Sequence, residues 1–415
     1  MPRLESDSED LECYDDGALG VYVHLPFCDR ICPYCDFAVV AARDFGGAAE
    51  ARYTAALRSE LERRQEDFPG RRLETLYFGG GTPSLFSADS IASLIQVIQD
   101  AFPSQLKPVE TTLELNPSTI EIARLPGFRA AGVDRLSIGI QSFDDVQLKR
   151  LGRAHRADAA RETLRAVRNA GFENISVDLI FAGPDQTLDD LDRDLEELGE
   201  WLPEHVSTYE LTYEPETPFG RALDAGKMKP PDEDRSIRMI ERIETRLGEL
   251  GFERYEISSY ARPGKRARHN ARYWQRQAVL GIGMGAHSTE ARSKSRPHGA
   301  RRSNPRSLSS WFEAVEGGLP VGRDEELSLE TARGEAVFLG LRQREGLRSR
   351  PFEAEFGSPP RAFFGQSISR LVDRGWLIEG ATAPGDLALT AVGRLLADSV
   401  ATEFVVAEEE PSNEA

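Results

Sequence analysis

Six short β-rich runs alternate with helical stretches along the first half of this chain, and that alternation restricts it to one class of architecture. The runs are GVYVHL at 20–25, LETLYF at 73–78, ETTLEL at 110–115, DRLSIGI at 134–140, NISVDLI at 174–180 and HVSTYELTY at 205–213. Between them, stretches such as YTAALRSELERR and SIASLIQVIQDAF carry apolar residues at helical spacing. Strand–helix alternation of this kind predicts parallel βα units. Six units fall short of the eight that close a (β/α)8 barrel. The expectation is therefore an α/β fold built on an open, partial (β/α)6 barrel.

In parallel barrels the functional residues gather where the strands end. A cysteine loop follows the first run, and Gly79-Gly80-Gly81-Thr82-Pro83 follows the second. The third run ends in Glu114 and Asn116, the fourth in Gln141, the fifth in Asp178, the sixth in Tyr209 and Glu210. Six such ends in register predict a single site ringed by loops.

Cys28, Cys32 and Cys35 fall within eight positions, while the fourth cysteine, Cys13, stands alone in an acidic segment. Clustered cysteines in a reducing compartment bind metal more often than they form disulfides. Thiolates suit iron–sulfur clusters. Three of them bind three irons of a [4Fe–4S] cubane and leave the fourth iron open to the amino and carboxylate groups of S-adenosylmethionine. An electron from the cluster then cleaves that molecule to a 5′-deoxyadenosyl radical. The competing reading is a structural zinc site, which wants four ligands in a closed tetrahedron, with His24 as the fourth. The glycine turn lacks the Gly-Lys-Ser/Thr ending of a phosphate loop and is not read as ATP-binding; its glycines permit close backbone approach to a ligand. Glu114, Gln141, Arg153 and Asp178 are candidates to hold the ammonium, ribose hydroxyls and carboxylate of S-adenosylmethionine.

The net charge of −18 argues against a general nucleic-acid binder. Residues 1–18 and 401–415 are acidic and read as solvated, disordered tails. No run approaches the ~18–20 apolar residues of a membrane span, and MPRLESDSED lacks the apolar stretch of a secretory signal, so a cytoplasmic protein is expected. A barrel over 19–260 is followed by a basic connector at 261–310, where a run of arginines carries one acid, Glu290. In the C-terminal domain at 311–400, ISRLVDRGWLIEGATAPGDLALTAVGRLLADSV reads as helix, two short strands and helix. That order predicts a small winged-helix-like α+β domain, with a packing role favoured over DNA binding.

VYVHLPFC, GGGTPSLF, LELNP, RLSIGIQSF and VDLIFAGPDQT resemble, in order, segments of the radical S-adenosylmethionine superfamily, and within it the oxygen-independent coproporphyrinogen oxidase family. The likeness spans ~20–400 and implies a HemN-type C-terminal domain. It also implies that a first S-adenosylmethionine meets Tyr22, Gly80 and Glu114, while Tyr34, Gly81, Thr82, Gln141, Arg153 and Asp178 match positions holding a second. The chain departs from the oxidase in three respects. Phe37 stands where the oxidase has a further cysteine, the segment before the first strand is shorter, and His269-Asn270-Ala271-Arg272-Tyr273-Trp274 is present. That HNxxYW segment, with CPYCDF and GIGMGAHS, is similar to the sister branch of heme chaperones, HemW.

The branch likeness implies a protein that binds heme and passes it to acceptor proteins, respiratory ones among them, without coproporphyrinogen oxidase activity. It implies peripheral membrane contact through an acceptor, and a homodimer supported by the cluster. His269 is the candidate heme ligand, since neutral imidazole is a common axial ligand; Tyr273 and Trp274 would pack on the porphyrin face. The neighbouring arginines would pair with heme propionates or an acidic partner, and His287 is a second candidate ligand. The alternative is an active radical enzyme, the oxidase or a relative, because every residue needed to bind and cleave S-adenosylmethionine has a counterpart here.

Overall fold

A computed structural model describes residues 17–42, 45–104, 109–230, 232–290, 292–293, 296–318 and 322–404. Both acidic tails fall almost wholly outside these residues. Six parallel strands follow one another in sheet order: Ala18–Leu25 (β1), Arg72–Gly80 (β2), Glu110–Leu115 (β3), Arg135–Gln141 (β4), Ile175–Phe181 (β5) and His205–Glu210 (β6). Side chains of a strand alternate between its two faces. Leu19, Val21, Val23 and Leu25 of β1 are fully buried among the outer helices, and Leu76, Phe78, Leu113, Leu115, Leu136 and Ile138 continue that layer. The intervening residues turn inward. Tyr22, Thr75, Tyr77, Glu110, Glu114, Ser137, Asp178 and His205 make a lumen that is polar rather than aliphatic; Tyr77 bonds Glu114 and Ser137 bonds Asp178 across it, while Thr75 meets His269 and His205 meets Ser176.

Three of the crossover helices, Ala88–Ala101, Thr119–Ala131 and Leu188–Trp201, start where a side chain caps them. Ser87 accepts from the Ser90 amide and opens the helix Ala88–Ala101, which buries Ile91, Leu94, Ile95 and Ile98 along one face. Thr187 and Asp190 form a reciprocal capping box at the start of Leu188–Trp201. Each helix covers the sheet from outside, and the C-terminal strand ends stay open to the loops.

The sheet continues past 260, where the sequence rhythm fades. Beyond β6 lie Glu253–Arg254 (β7) and Ser259–Ala261 (β8), both antiparallel. On the other side Val279–Ile282 (β9) pairs parallel with β1, followed antiparallel by His287–Glu290 (β10), Ala300–Ser303 (β11) and Arg323–Glu326 (β12). The result is an open twelve-stranded sheet. Residues 261–310, expected as a connector, thus supply three strands of the main sheet. Trp311 packs in the barrel core, and a separate core begins only at Leu327. That second unit holds Pro360–Asp373, the antiparallel pair Leu377–Glu379 (β13) and Leu387–Leu389 (β14), and Ala391–Leu395, in the winged-helix-like order expected.

The arginine run does not form the open basic face its composition suggests. Arg268 and Arg272 pair with Glu74, Arg266 with Glu345, and Arg296 with Glu290 and Asp324. Arg306 lies near Asp36. Arg276 bridges Glu335 and Glu355, both at 2.8 Å, and so ties the barrel to the C-terminal unit. The expectation that these arginines await propionates or an acidic partner is corrected by their internal carboxylates.

Glu60, in the first crossover helix Gly47–Arg64, is fully buried. It accepts from the Gly283 amide (2.9 Å), Asn304 Nδ2 (2.6 Å) and Trp311 Nε1 (3.0 Å), strapping the late strands onto the barrel. Removing the carboxylate takes the acceptor from the buried Gly283 amide and Trp311 indole and leaves Asn304 Nδ2 only the Gly283 carbonyl (2.8 Å). Glu60→Ala is expected to cost about 3 kcal/mol, read as a fall in the urea midpoint of barrel unfolding; an unchanged midpoint would refute this role.

Candidate functional site

The cysteine loop leaves the end of β1 and is closed at its base by the short parallel pair Phe27–Cys28 and Val40–Ala41. The turn after β2 packs directly on it. The Gly81 amide donates to the Leu25 carbonyl (2.9 Å) and the Thr82 amide to the Phe27 carbonyl (2.8 Å). A Cβ at Gly81 would lie 2.6 Å from the Pro26 carbonyl carbon, so only glycine permits this approach. Gly80 has φ +114, and a Cβ there would strike the His24 ring at 2.5 Å. His24 Nε2 bonds the Ala38 carbonyl (2.7 Å) and Nδ1 the Tyr22 hydroxyl (3.0 Å). Burial pushes its pKa down to about 4, so the ring is neutral, donating from Nε2 and accepting at Nδ1. With both nitrogens engaged, His24 does not serve as the fourth ligand of a zinc site.

The three cysteines are free, half-buried thiols. They line a cavity of about 560 Å³ together with Tyr34, Gly80, Gly81, Thr82, Glu114, Gln141, Arg153 and Asp178. Tyr22, expected to meet S-adenosylmethionine, sits outside this lining with its hydroxyl on His24 Nδ1. Glu114 accepts from the Tyr77 hydroxyl (2.7 Å) and the Gly80 amide (3.1 Å), and burial pushes its pKa up to about 7. Asp178 accepts from Ser137 (3.0 Å), and burial raises it as well. Gln141 holds φ +68 at a bulge of β4 beside the cavity, a backbone conformation that costs a non-glycine residue and concentrates at ligand sites. Asn116 was visible at a strand end, but its role was not: it bonds both Thr82 Oγ1 (2.9 Å) and Arg153. Tyr77 and Ser137 were also missed, although period-two alternation through β2 and β4 points both inward.

The sequence pattern of the Radical SAM superfamily matches residues 22–198, and that of the HemN C-terminal domain matches 327–396. The heme chaperone HemW of Bacillus subtilis is 30% identical over 387 residues, covering 93% of this chain and 99% of the relative. That of Mycobacterium tuberculosis (strain H37Rv) is 34% identical, covering 92% and 93%. The chain belongs to the heme chaperone HemW family. The structure of coproporphyrinogen III oxidase (HemN) from Escherichia coli is 22% identical with a TM-score of 0.79, covering 95% of this chain and 91% of that one, which establishes the shared fold.

Membership in the radical SAM superfamily brings a [4Fe–4S] cluster and S-adenosylmethionine as cofactors, and the residues present fit both. Among the described residues, no three Cys, His, Asp or Glu groups gather as the ligands of a single metal ion. A cubane takes its thiolates at separate iron corners and needs no such convergence. Burial pushes the Cys28 thiol up to about 11 and raises Cys35, and coordination is what deprotonates such thiols. The half-buried carboxylates of Glu114 and Asp178 suit a cationic ligand, and the Nε of Arg153 is buried without a partner.

The HNxxYW segment of the family lies at the opposite end of the barrel. His269 is 1% exposed; its Nδ1 meets Thr75 Oγ1 (2.8 Å), its Nε2 the Tyr273 hydroxyl (3.2 Å), and its amide donates to Glu110 (3.0 Å). Arg272 is equally buried and donates to the Ala18 and Ala278 carbonyls. The expectation of His269 as a heme ligand with Tyr273 on the porphyrin face is therefore corrected: these side chains plug the N-terminal mouth of the lumen. Trp274 faces a separate cleft against the C-terminal unit. His287 is exposed. His269→Ala is expected to lower stability by about 2–4 kcal/mol, for lost buried partners and the cavity left behind, while heme stoichiometry in an anaerobic titration stays that of the unaltered chain. Abolished heme binding with an unchanged melting temperature would reverse the assignment.

Proposed function

We propose that this chain binds heme and delivers it to acceptor proteins, on a scaffold holding a [4Fe–4S] cluster at Cys28, Cys32 and Cys35 and an exchangeable S-adenosylmethionine in the adjoining cavity. The observation that carries this reading is near-full-length likeness to proteins named heme chaperones. The cavity of three free thiols and two half-buried carboxylates supports the cofactor part. When bound, the cluster supplies an open iron and a single electron. Glu114 and Asp178 hold the cationic part of S-adenosylmethionine, and Gly80 and Gly81 admit it close to the backbone. Tyr34, Thr82, Gln141 and Arg153 grip its polar ends, or those of a second molecule. Tyr22 keeps His24, and through it the cysteine loop, in place. Phe37, 69% exposed at the rim, puts an apolar ring where the oxidase has a thiol. Of the two histidine candidates, His287 keeps an accessible ring for heme. Among the described residues no helix is long and apolar enough to cross a membrane; the proposed setting is the cytoplasm, with peripheral membrane contact made through respiratory acceptors and a homodimer as the assembly.

Glu114 gives a pH test. Its carboxyl faces Tyr77, Asp178 and Arg135, and with a pKa of about 7 it is neutral below that pH. The affinity for S-adenosylmethionine should therefore rise as pH increases through about 7. Glu114→Gln should flatten the profile and weaken binding about tenfold on the alkaline side, the worth of one charge-assisted bond. A wild-type affinity that does not vary between pH 6 and 8 would remove Glu114 from the site.

For function, anaerobically reconstituted protein should bind heme stoichiometrically, transfer it to an apo-acceptor, and leave coproporphyrinogen III unchanged. Turnover to protoporphyrinogen IX would instead establish the radical-enzyme reading.

A further inference from the structure

We infer that Asn116 is a positioning residue that holds the Thr82 hydroxyl and the Arg153 guanidinium against two cluster sulfurs and thereby raises the cluster's reduction potential. The inference rests on the proposed assignment of the three cysteines to a cluster.

Asn116 stands one residue beyond β3 and reaches across the cavity in both directions. Its Nδ2 donates to Thr82 Oγ1 at 2.9 Å. Because Thr82 Oγ1 accepts there, its own proton is free to point away, and Cys28 Sγ lies 3.7 Å off in that direction. On the other side, Asn116 Oδ1 accepts from Arg153 Nη2, while Arg153 Nη1 donates to Cys32 Sγ at 3.5 Å. One amide thus orients two donors, each aimed at a different thiol. Nothing in the arrangement is loose. The Asn116 amide donates to Glu121 (2.8 Å), itself held by Ser84 (2.7 Å). Arg153 Nη2 also donates to the Gly139 carbonyl (2.8 Å). A Cβ on Gly139 would come within 2.9 Å of Asn116 Oδ1 and 3.3 Å of Arg153 Nη2, so the bare strand leaves the pair its room. The third sulfur, of Cys35, accepts from the Phe37 backbone amide.

Hydrogen bonds to ligating sulfurs are among the principal determinants of an iron–sulfur potential. A donor stabilises the reduced cluster more than the oxidised one, since the reduced state carries more negative charge at sulfur. Losing a donor therefore lowers the potential. Asn116 touches no sulfur, so its effect must pass through Thr82 and Arg153, and this dependence is testable.

The experiment is a redox titration of the full chain, reconstituted anaerobically with iron and sulfide and without S-adenosylmethionine, followed by the spectrum of the reduced cluster. Asn116→Ala and Thr82→Val should each lower the ratio of reduced to oxidised cluster at a fixed potential about tenfold, equivalent to 59 mV for a one-electron couple. Thr82→Ser should keep the wild-type ratio, and the double variant Asn116→Ala/Thr82→Val should fall no further than Asn116→Ala alone. A wild-type potential in Asn116→Ala, or additive shifts in the double variant, overturns the inference. If Asn116→Ala holds no cluster, Thr82→Val decides alone, and an unmoved potential there overturns it. Failure of the unaltered chain to assemble a cluster defeats the reading of the cysteines themselves; an intact cluster with unmoved potentials defeats only the role of Asn116.

Discussion

The glycine turn after the second strand lies backbone to backbone on the cysteine loop, and the rest of the site depends on that contact. The loop buries little of its own, since Asp29, Arg30, Ile31, Asp36 and Phe37 are exposed. Two amide–carbonyl bonds, from Gly81 to Leu25 and from Thr82 to Phe27, fix it to the barrel, and no side chain at Gly81 intervenes. Once the turn is seated, Thr82 faces Cys28, and the Gly80 amide faces the Glu114 carboxylate. The loop is also gripped from below by His24 and from the side by Gly285, whose missing Cβ would meet Ala38 at 2.6 Å. Three strands far apart in sequence thus converge to hold one short loop.

The two ends of the lumen do different work. At the C-terminal end thiols, carboxylates and a strained glutamine surround open space. At the N-terminal end His269, Arg272, Glu110 and Glu74 fill the mouth and satisfy one another. A buried polar lumen is stable only when its groups are paired, and the HNARYW helix supplies partners that the strands lack. The scaffold thereby leaves Glu114 and Asp178, carboxylates that are hydrogen-bonded but have no cation paired with them among the described residues, where a charged ligand can reach them.

The strands were legible because alternation and β-rich composition mark them locally; five of the six runs agree with the observed elements to within a residue or two. The sixth ends at Glu210, not Tyr213, as the chain turns into the Leu211–Glu214 segment beside the cavity. Val279–Ile282 escaped notice because its place is set by pairing with β1, a contact between residues some 260 positions apart. The arginine run was misread for the same reason, as its carboxylates sit at Glu74, Glu335 and Glu355. His269 misled differently: a histidine beside a tyrosine and a tryptophan looks alike whether it binds iron or plugs a barrel, and only burial of both ring nitrogens separates the two. The cysteine spacing, by contrast, is a local feature whose meaning does not depend on distant partners.

The chemistry open to the C-terminal end of the lumen turns on whether these thiols hold a four-iron cluster with one iron free for S-adenosylmethionine. Mössbauer spectroscopy of the chain reconstituted with 57Fe, recorded with and without S-adenosylmethionine, tests it most directly. A cluster held by three thiolates gives a [4Fe–4S] spectrum in which one iron site changes its isomer shift when S-adenosylmethionine is added and the other three do not. A spectrum in which no site responds, or a chain that binds a single metal ion in place of a cluster, would contradict it.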